Sequence, residues 1–258
     1  MSTTGKAVLV TGANRGIGKA LVEEALKRGA KRVYAGTRTP LVHPDERVTP
    51  VTLDVTDARH VRAAVDQVDS LDVLINNAGV FAVDDLGDPV LLDRVLAVNF
   101  HGVHNVTRAF LPKLIASGGA VATNTSVNAI APFPLLASYA ISKAAALALT
   151  QSLRSILASR GVSVHAIFSG PVDTDMGAEF DAVFTRRGGA GTGAGVKFDV
   201  AEKASPESVA HHIFEGIEKG VEDIFPDPAS QNLANDWHNG STKALERHLA
   251  AMYADFTR

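Results

Sequence analysis

The chain has no cysteine among its 258 residues. Disulfides, thiolate metal ligands and a cysteine nucleophile are thereby excluded. There is no large excess of either charge: 25 Lys and Arg stand against 28 Asp and Glu, a net charge of -3. Such a balance gives no reason to expect nucleic acid or an anionic membrane as partner. No apolar run approaches the roughly 20 residues that span a bilayer. Met1 to Lys6 is short and polar and leads straight into Ala7-Val8-Leu9-Val10, so no signal peptide is read there. The expectation is a soluble, cytoplasmic protein. His101, His104, His165, His211 and His212 fall into no ligand spacing such as H-E-x-x-H, and no catalytic metal is expected.

What is present begins with a core. Hydrophobic residues make up 46% of the chain, enough for one large α/β domain, and no repeat or linker divides it. Ala7 to Val10 is apolar without alternation, as in a strand buried on both faces of a parallel sheet. Thr11-Gly12-Ala13-Asn14-Arg15-Gly16-Ile17-Gly18 follows, then a helical pattern over Lys19 to Arg28 and a second strand over Arg32 to Ala35. Strand, glycine turn, helix and strand form a βαβ unit. Glycines at that turn let a backbone approach a pyrophosphate at a helix N-terminus, where free N–H groups and the dipole favour anions; a tight turn with no ligand is the plainer alternative. Further strands are expected over Val48 to Val55, Leu71 to Ile75, Ala120 to Ser126, Val162 to Phe168 and Asp223 to Phe225. Helices are expected from Thr56 or Asp57 to about Val68, and over Pro89 to Ala116, Ser138 to Ser159, Pro206 to Lys219 and Ser230 to Phe256. Residues about 177–205, rich in glycine beyond Arg187, read as a mobile lid or linker. The fold class is therefore α/β: a Rossmann-type, doubly wound parallel sheet of about seven strands, in three layers and one domain.

Two features carry chemistry. Tyr139 and Lys143 lie four apart at the start of a helix-forming run, hence on one helix face. An ammonium beside a phenol favours phenolate and brings its pKa down from about 10; a surface Tyr and Lys sharing a face is the bland alternative. Second, Thr37-Arg38 stands where NAD-preferring sites place an acid for the ribose 2′-OH. Arg38, with Arg15 as a second cation, suits a 2′-phosphate instead. NADP(H) is the expected cofactor, with NAD(H) as the alternative.

Taken together, TGANRGIG, Asp54-Val55, Asn76-Asn77-Ala78-Gly79, Asn99, Ser126, Tyr139-Ala140-Ile141-Ser142-Lys143 and GPVDTDM from Gly170 resemble, in order and spacing, the classical short-chain dehydrogenases/reductases over residues 5–176. The resemblance implies that Tyr139 is the general acid/base, that Lys143 lowers its pKa and holds ribose hydroxyls, and that Ser126 bonds the substrate oxygen. Asn99 would anchor a water linking Lys143 to solvent. Gly12, Asn14, Gly16, Ile17 and Gly18 would cradle the pyrophosphate, and Asp54 and Val55 would border the adenine. Asn77, Ala78 and Gly79 would line the cofactor cleft, and Gly170, Val172 and Thr174 would hold the nicotinamide. One departure stands out: Ser169-Gly170 replaces the family's usual Pro-Gly, which is expected to loosen that turn. Phe133, Leu135, Leu136, Met176, Phe180 and Phe184 offer an apolar substrate wall or ordinary core. The helix from Ala140 to Leu149, apolar nearly all round, is expected in the core or against a second subunit, giving a homodimer or homotetramer. The function read from these residues is hydride transfer between NADP(H) and a carbonyl or alcohol of a hydrophobic small molecule. The alternatives are imine reduction on the same scaffold and a non-catalytic NADP sensor.

Overall fold

The first strand, β1 (Ala7–Thr11), is buried along its whole length, and its side chains divide by parity. Val8 and Val10 enter one hydrophobic layer, Ala7 and Leu9 the other. Each fully buried Val or Leu contributes roughly 1.5–3 kcal/mol, so a run without alternation belongs in the middle of a sheet covered on both sides. The computed structural model shows that arrangement; it describes residues 1–39, 41–84, 86–133, 135–186 and 203–256, without the side chains of 183–186, 250 and 252–256.

Seven parallel strands form one sheet in the order β3-β2-β1-β4-β5-β6-β7. They are β1, β2 (Arg32–Thr37), β3 (Val48–Thr52), β4 (Val73–Asn76), β5 (Ala120–Asn124), β6 (Ser163–Ile167) and β7 (Asp223–Ile224). Helices α1 (Gly16–Lys27) and α7 (Pro206–Lys219) pack on one face. Helices α2 (Ala58–Gln67), α4 (Val103–Ser117) and α5 (Ala137–Ala158) cover the other. This is the three-layer, Rossmann-like arrangement expected. Strand order reverses between β1 and β4, and ligands of such sheets bind beyond the carboxyl ends of the strands at that point.

Four local expectations are corrected. The helix expected over Pro89 to Ala116 is α3 (Pro89–Leu96), a π-helical turn Ala97–Gly102 and α4, with Asn99 inside the π turn. The fifth strand stops at Asn124, and Ser126 caps a 3-10 turn Val127–Ala129 by accepting from the Asn128 N–H at 3.2 Å. Residues 175–186, inside or bordering the expected lid, form helix α6 (Asp175–Arg186); 187–202 lie outside the described residues. The last helix is two, α8 (Pro228–Asn239) and α9 (Ser241–Phe256), broken at Gly240. Asp227 starts α8 with a capping box to Ser230. No helix among the described residues is long and apolar enough to cross a membrane.

Candidate active site

A cavity of about 720 Å³ opens at the carboxyl ends of β1, β4, β5 and β6, within the roughly 300–1,000 Å³ usual for small-molecule and cofactor sites. The glycine turn forms one end. Gly12 has φ +67°, and a Cβ there would stand 2.9 Å from Ala78 Cα. A Cβ on Gly18 would lie 2.0 Å from the Gly12 carbonyl oxygen, so no side chain fits. Arg15, at the N-cap of α1, gives no side-chain cap. The first N–H groups of α1 thus remain available to an anion at the positive end of the helix dipole. Asn77 fastens this turn to β4: its N–H donates to Thr11 Oγ1 at 3.0 Å and its amide to the Thr11 carbonyl at 3.1 Å.

Gly12, Asn14, Arg15, Gly16, Ile17, Gly18, Thr37, Arg38, Asp54, Val55, Asn77, Ala78 and Gly79 all line this cavity, as do Gly170, Val172 and Thr174 at the other end. Arg15 is paired with Asp175 at 3.0 Å, both well exposed. An exposed pair is worth about 0–1 kcal/mol, so a phosphate can compete for Arg15. Arg38 lies close enough to act on Asp54. Burial pushes the Asp54 carboxyl up, but the Thr56 hydrogen bonds and the charges of Arg38 and His60 hold it below its ordinary value.

The reactive side chains sit midway. Ser126, Tyr139 and Lys143 all line the cavity. Ser126 faces the Tyr139 phenol closely enough to favour its ionised form, while its hydroxyl donates to the Ser169 carbonyl at 3.3 Å. The Lys143 ammonium lies 5.5 Å from the Tyr139 ring centroid and donates to the Asn124 carbonyl at 2.7 Å. Asn99, buried behind them, accepts from the Val80 N–H and donates to the Val80 carbonyl and to Ser142 Oγ, all within 2.9 Å. One electrostatic expectation is corrected. Burial raises the Tyr139 phenol above its ordinary value, Ser126 opposing it only in part, while burial lowers Lys143 to about 8. A desolvated ammonium 5.5 Å from the ring does not outweigh the cost of a buried phenolate.

The apolar wall holds Phe133, Leu136, Met176 and Phe180, with Phe133 edge-to-face on Phe180 at 5.8 Å. Leu135 is not among the lining residues; its neighbour Leu136 takes that place. Phe184 lies outside the described side chains. Phe81, Asn124, Asn128, Ser169 and Lys203 also line the cavity and were not expected from the sequence. Phe81 and Ser169 fall beside motifs that were singled out, which was the available signal.

The chain is similar to known proteins. Residues 6–183 match the family model described as short chain dehydrogenase. Over 195 residues the chain is 35% identical to the short chain dehydrogenase pigC of Monascus ruber, covering 67% of this chain and 64% of that protein. With tazN of Aspergillus terreus, also a short chain dehydrogenase, identity is 36% over 198 residues, covering 68% and 43%. The chain spans less than two thirds of the length of either relative. A crystal structure of a short chain dehydrogenase from Burkholderia cenocepacia, in complex with NADP, superimposes with a TM-score of 0.79 at 31% identity, covering 96% of this chain and 99% of that one. With a family match over most of its length, this chain belongs to the short chain dehydrogenase family of oxidoreductases.

Proposed function

We propose that the protein is an NADP(H)-dependent oxidoreductase that interconverts a carbonyl and an alcohol on a hydrophobic small molecule. One observation carries the reading: Ser126, Tyr139 and Lys143 converge on the cavity whose far end is a glycine turn at a helix N-terminus. The residues fit a dinucleotide. The cradle at Gly12 and Gly18 admits no Cβ, α1 offers free N–H groups, and Arg38 and Arg15 are cations for a 2′-phosphate.

When bound, the nicotinamide supplies or accepts the hydride. The chain's own residues handle the oxygen and its proton. With its pKa raised, Tyr139 stands protonated at neutral pH and gives its proton to the substrate oxygen as that oxygen becomes an alcohol. Ser126 donates to the same oxygen and stabilises its developing charge. Lys143, near half-ionised at about 8, is suited to hold ribose hydroxyls and pass protons. The Asn99 amide ties Val80 to Ser142, the residue before Lys143. Phe133, Met176 and Phe180 offer the substrate an apolar wall.

The protein is further read as cytoplasmic, with a small-molecule substrate and neither nucleic acid nor membrane as partner. A homodimer or homotetramer through α5 is supported by Ile141 and Ile156, exposed at 40% and 44% on that helix; light scattering showing only monomer at micromolar concentration rejects it. Tyr139→Phe tests the central reading. Turnover of ketones, followed by loss of NADPH absorbance, should fall at least a hundredfold, on the order of a lost general acid, with NADPH affinity retained. Unchanged ketone turnover in the variant refutes Tyr139 as the proton donor, and a wild type that turns over imines alone refutes carbonyl reduction.

A further inference from the structure

Two serines immediately precede the two titratable residues in the first turns of α5: Ser138 before Tyr139, and Ser142 before Lys143. Each is fastened from outside the helix. Ser142 Oγ accepts from Asn99 Nδ2 at 2.9 Å and donates to the Tyr139 carbonyl at 2.7 Å. Asn99 also grips both backbone groups of Val80. At the other serine the partner is Asp84. The Ser138 N–H donates to Asp84 Oδ1 at 3.1 Å and the Ser138 hydroxyl donates to Asp84 Oδ2. Asp84 is 6% exposed and Ser138 not at all. The Asp84 N–H donates in turn to the Leu135 carbonyl at 3.1 Å. The stretch from Val80 to Asp84 is therefore fastened at both ends, and it carries Phe81 into the cavity wall.

The arrangement answers a need of the helix. Leu136, the N-cap of α5, has no side chain that can accept from the first turn. Free N–H groups and a positive dipole end there favour an anion. Asp84 supplies it from another element, with both carboxylate oxygens engaged by the residue next to Tyr139.

We propose that Asp84 is a positioning residue for Tyr139: it fixes the first turn of α5, and with it the aim of the phenol toward Ser126 and the substrate oxygen. The inference rests on the reading of Tyr139 as proton donor. Asp84 is not among the residues that line the cavity, and the glycine cradle belongs to other elements. Its loss should thus act on chemistry and not on dinucleotide binding. A displacement of about 1 Å at a reacting group costs on the order of a hundredfold.

The test compares Asp84→Ala, Asp84→Asn, Ser138→Ala and Tyr139→Phe in the full chain, measuring ketone kcat and KM, NADPH Kd by fluorescence and Tm. Asp84→Ala should lower kcat about tenfold to a hundredfold and leave NADPH Kd within about twofold. Asp84→Asn should restore most of the rate, because its carbonyl still accepts from the Ser138 N–H and its amide can donate to the hydroxyl. Wild-type kcat in a folded Asp84→Ala, with Tyr139→Phe inactive, overturns the positioning role alone. So does an equal loss in Asp84→Ala and Asp84→Asn. An active Tyr139→Phe overturns both readings. Should Asp84→Ala not fold, Ser138→Ala decides: a reduced kcat at unchanged NADPH Kd supports the role, and an unchanged kcat overturns it.

Discussion

The Ser169 hydroxyl donates to Asn124 Oδ1 at 2.8 Å. Asn124 Nδ2 donates onward to Asn77 Oδ1 at 3.0 Å, and Asn77 reaches the Thr11 carbonyl at 3.1 Å. A polar ladder thus crosses the ends of β6, β5, β4 and β1 beneath the cleft, and Lys143 joins it at the Asn124 carbonyl. The Ser169 carbonyl accepts from the Val127 N–H and the Ser126 hydroxyl, while the Gly170 N–H donates to Asp227 Oδ2 at 2.8 Å. These bonds tie down the turn that a serine in place of proline was expected to loosen. Proline stiffens a turn through its ring; three of the four bonds here use backbone groups that proline would also offer, and the fourth uses the hydroxyl that proline lacks.

It follows that Ser169→Ala should be costly although it removes one atom. Asn124 Oδ1, largely buried, loses its donor. An unsatisfied buried polar group costs about 1–3 kcal/mol. Urea denaturation should show a loss in that range, with KM for NADPH raised. A midpoint equal to that of the wild type counts against the ladder.

Cofactor choice is expected to turn on Arg38. Hydrogen bonds to charged groups contribute about 1.5–3 kcal/mol, roughly tenfold to a hundredfold in affinity. Arg38→Asp should weaken NADPH by at least that factor, because the new carboxylate also repels a 2′-phosphate. NADH binding should hold or improve. Equal weakening of both dinucleotides in fluorescence titrations rejects the assignment.

Gly12→Ala and Gly18→Ala separate two uses of glycine. At Gly12 the left-handed backbone alone costs about 1–2 kcal/mol, with the Ala78 contact in addition. At Gly18 the backbone is ordinary but the new methyl meets the Gly12 carbonyl at 2.0 Å and Asn77 Nδ2 at 2.7 Å. Both variants should lose dinucleotide binding in a fluorescence titration, Gly18→Ala with the larger drop in Tm. Wild-type affinity in either one removes the close-approach argument.

The parts legible in the sequence were those set by local spacing. Parity in Ala7 to Thr11, glycines at a strand end, and Tyr139 and Lys143 one helical turn apart each declare their geometry within a few residues. Asp84, Asn124 and Ser169 do not, because each acts on a partner more than 40 positions away. The π turn was legible only as a misplaced Asn99. Helix α6 was hidden by the glycines that follow it, and the α8–α9 break by a composition that favours helix on both sides of Gly240. The pKa of Tyr139 depended on burial, which spacing does not report.

Lys143 should carry a stability cost that depends on pH. Its folded pKa, about 8, lies below the unfolded value near 10.4, so the unfolded chain binds the proton more tightly between the two. Stability from this group therefore rises as pH climbs from about 8 toward 10.4, and the cost is fully present below 8. Lys143→Met, which abolishes the charge and the Asn124 bond together, should raise stability by roughly 1–3 kcal/mol at pH 7 and by less at pH 9.5. Turnover should fall sharply in the same variant. A urea midpoint that drops at pH 7 refutes the argument.

A buried ion network ties the C-terminal helices to the sheet. The Asp223 side chain, fully buried, accepts from Arg154 of α5 at 2.6 Å, Lys243 of α9 at 2.7 Å and Trp237 of α8 at 2.8 Å. Burial raises its carboxyl, but these three partners outweigh burial and hold it below its ordinary value. Its contribution is therefore complete above the unfolded carboxylate pKa and is lost as pH falls through the lower folded value. Removing one member of a buried ion network strands the others at a cost of about 3–5 kcal/mol. Asp223→Asn should show that loss at pH 7, and its deficit against the wild type should narrow toward pH 3. Trp237, the chain's one tryptophan, packs on Phe168 at 5.2 Å, so its fluorescence reports when α8 leaves the sheet. In Asp223→Asn that signal should change at lower urea than in the wild type; coincident curves at pH 7 exclude a structural role for the network.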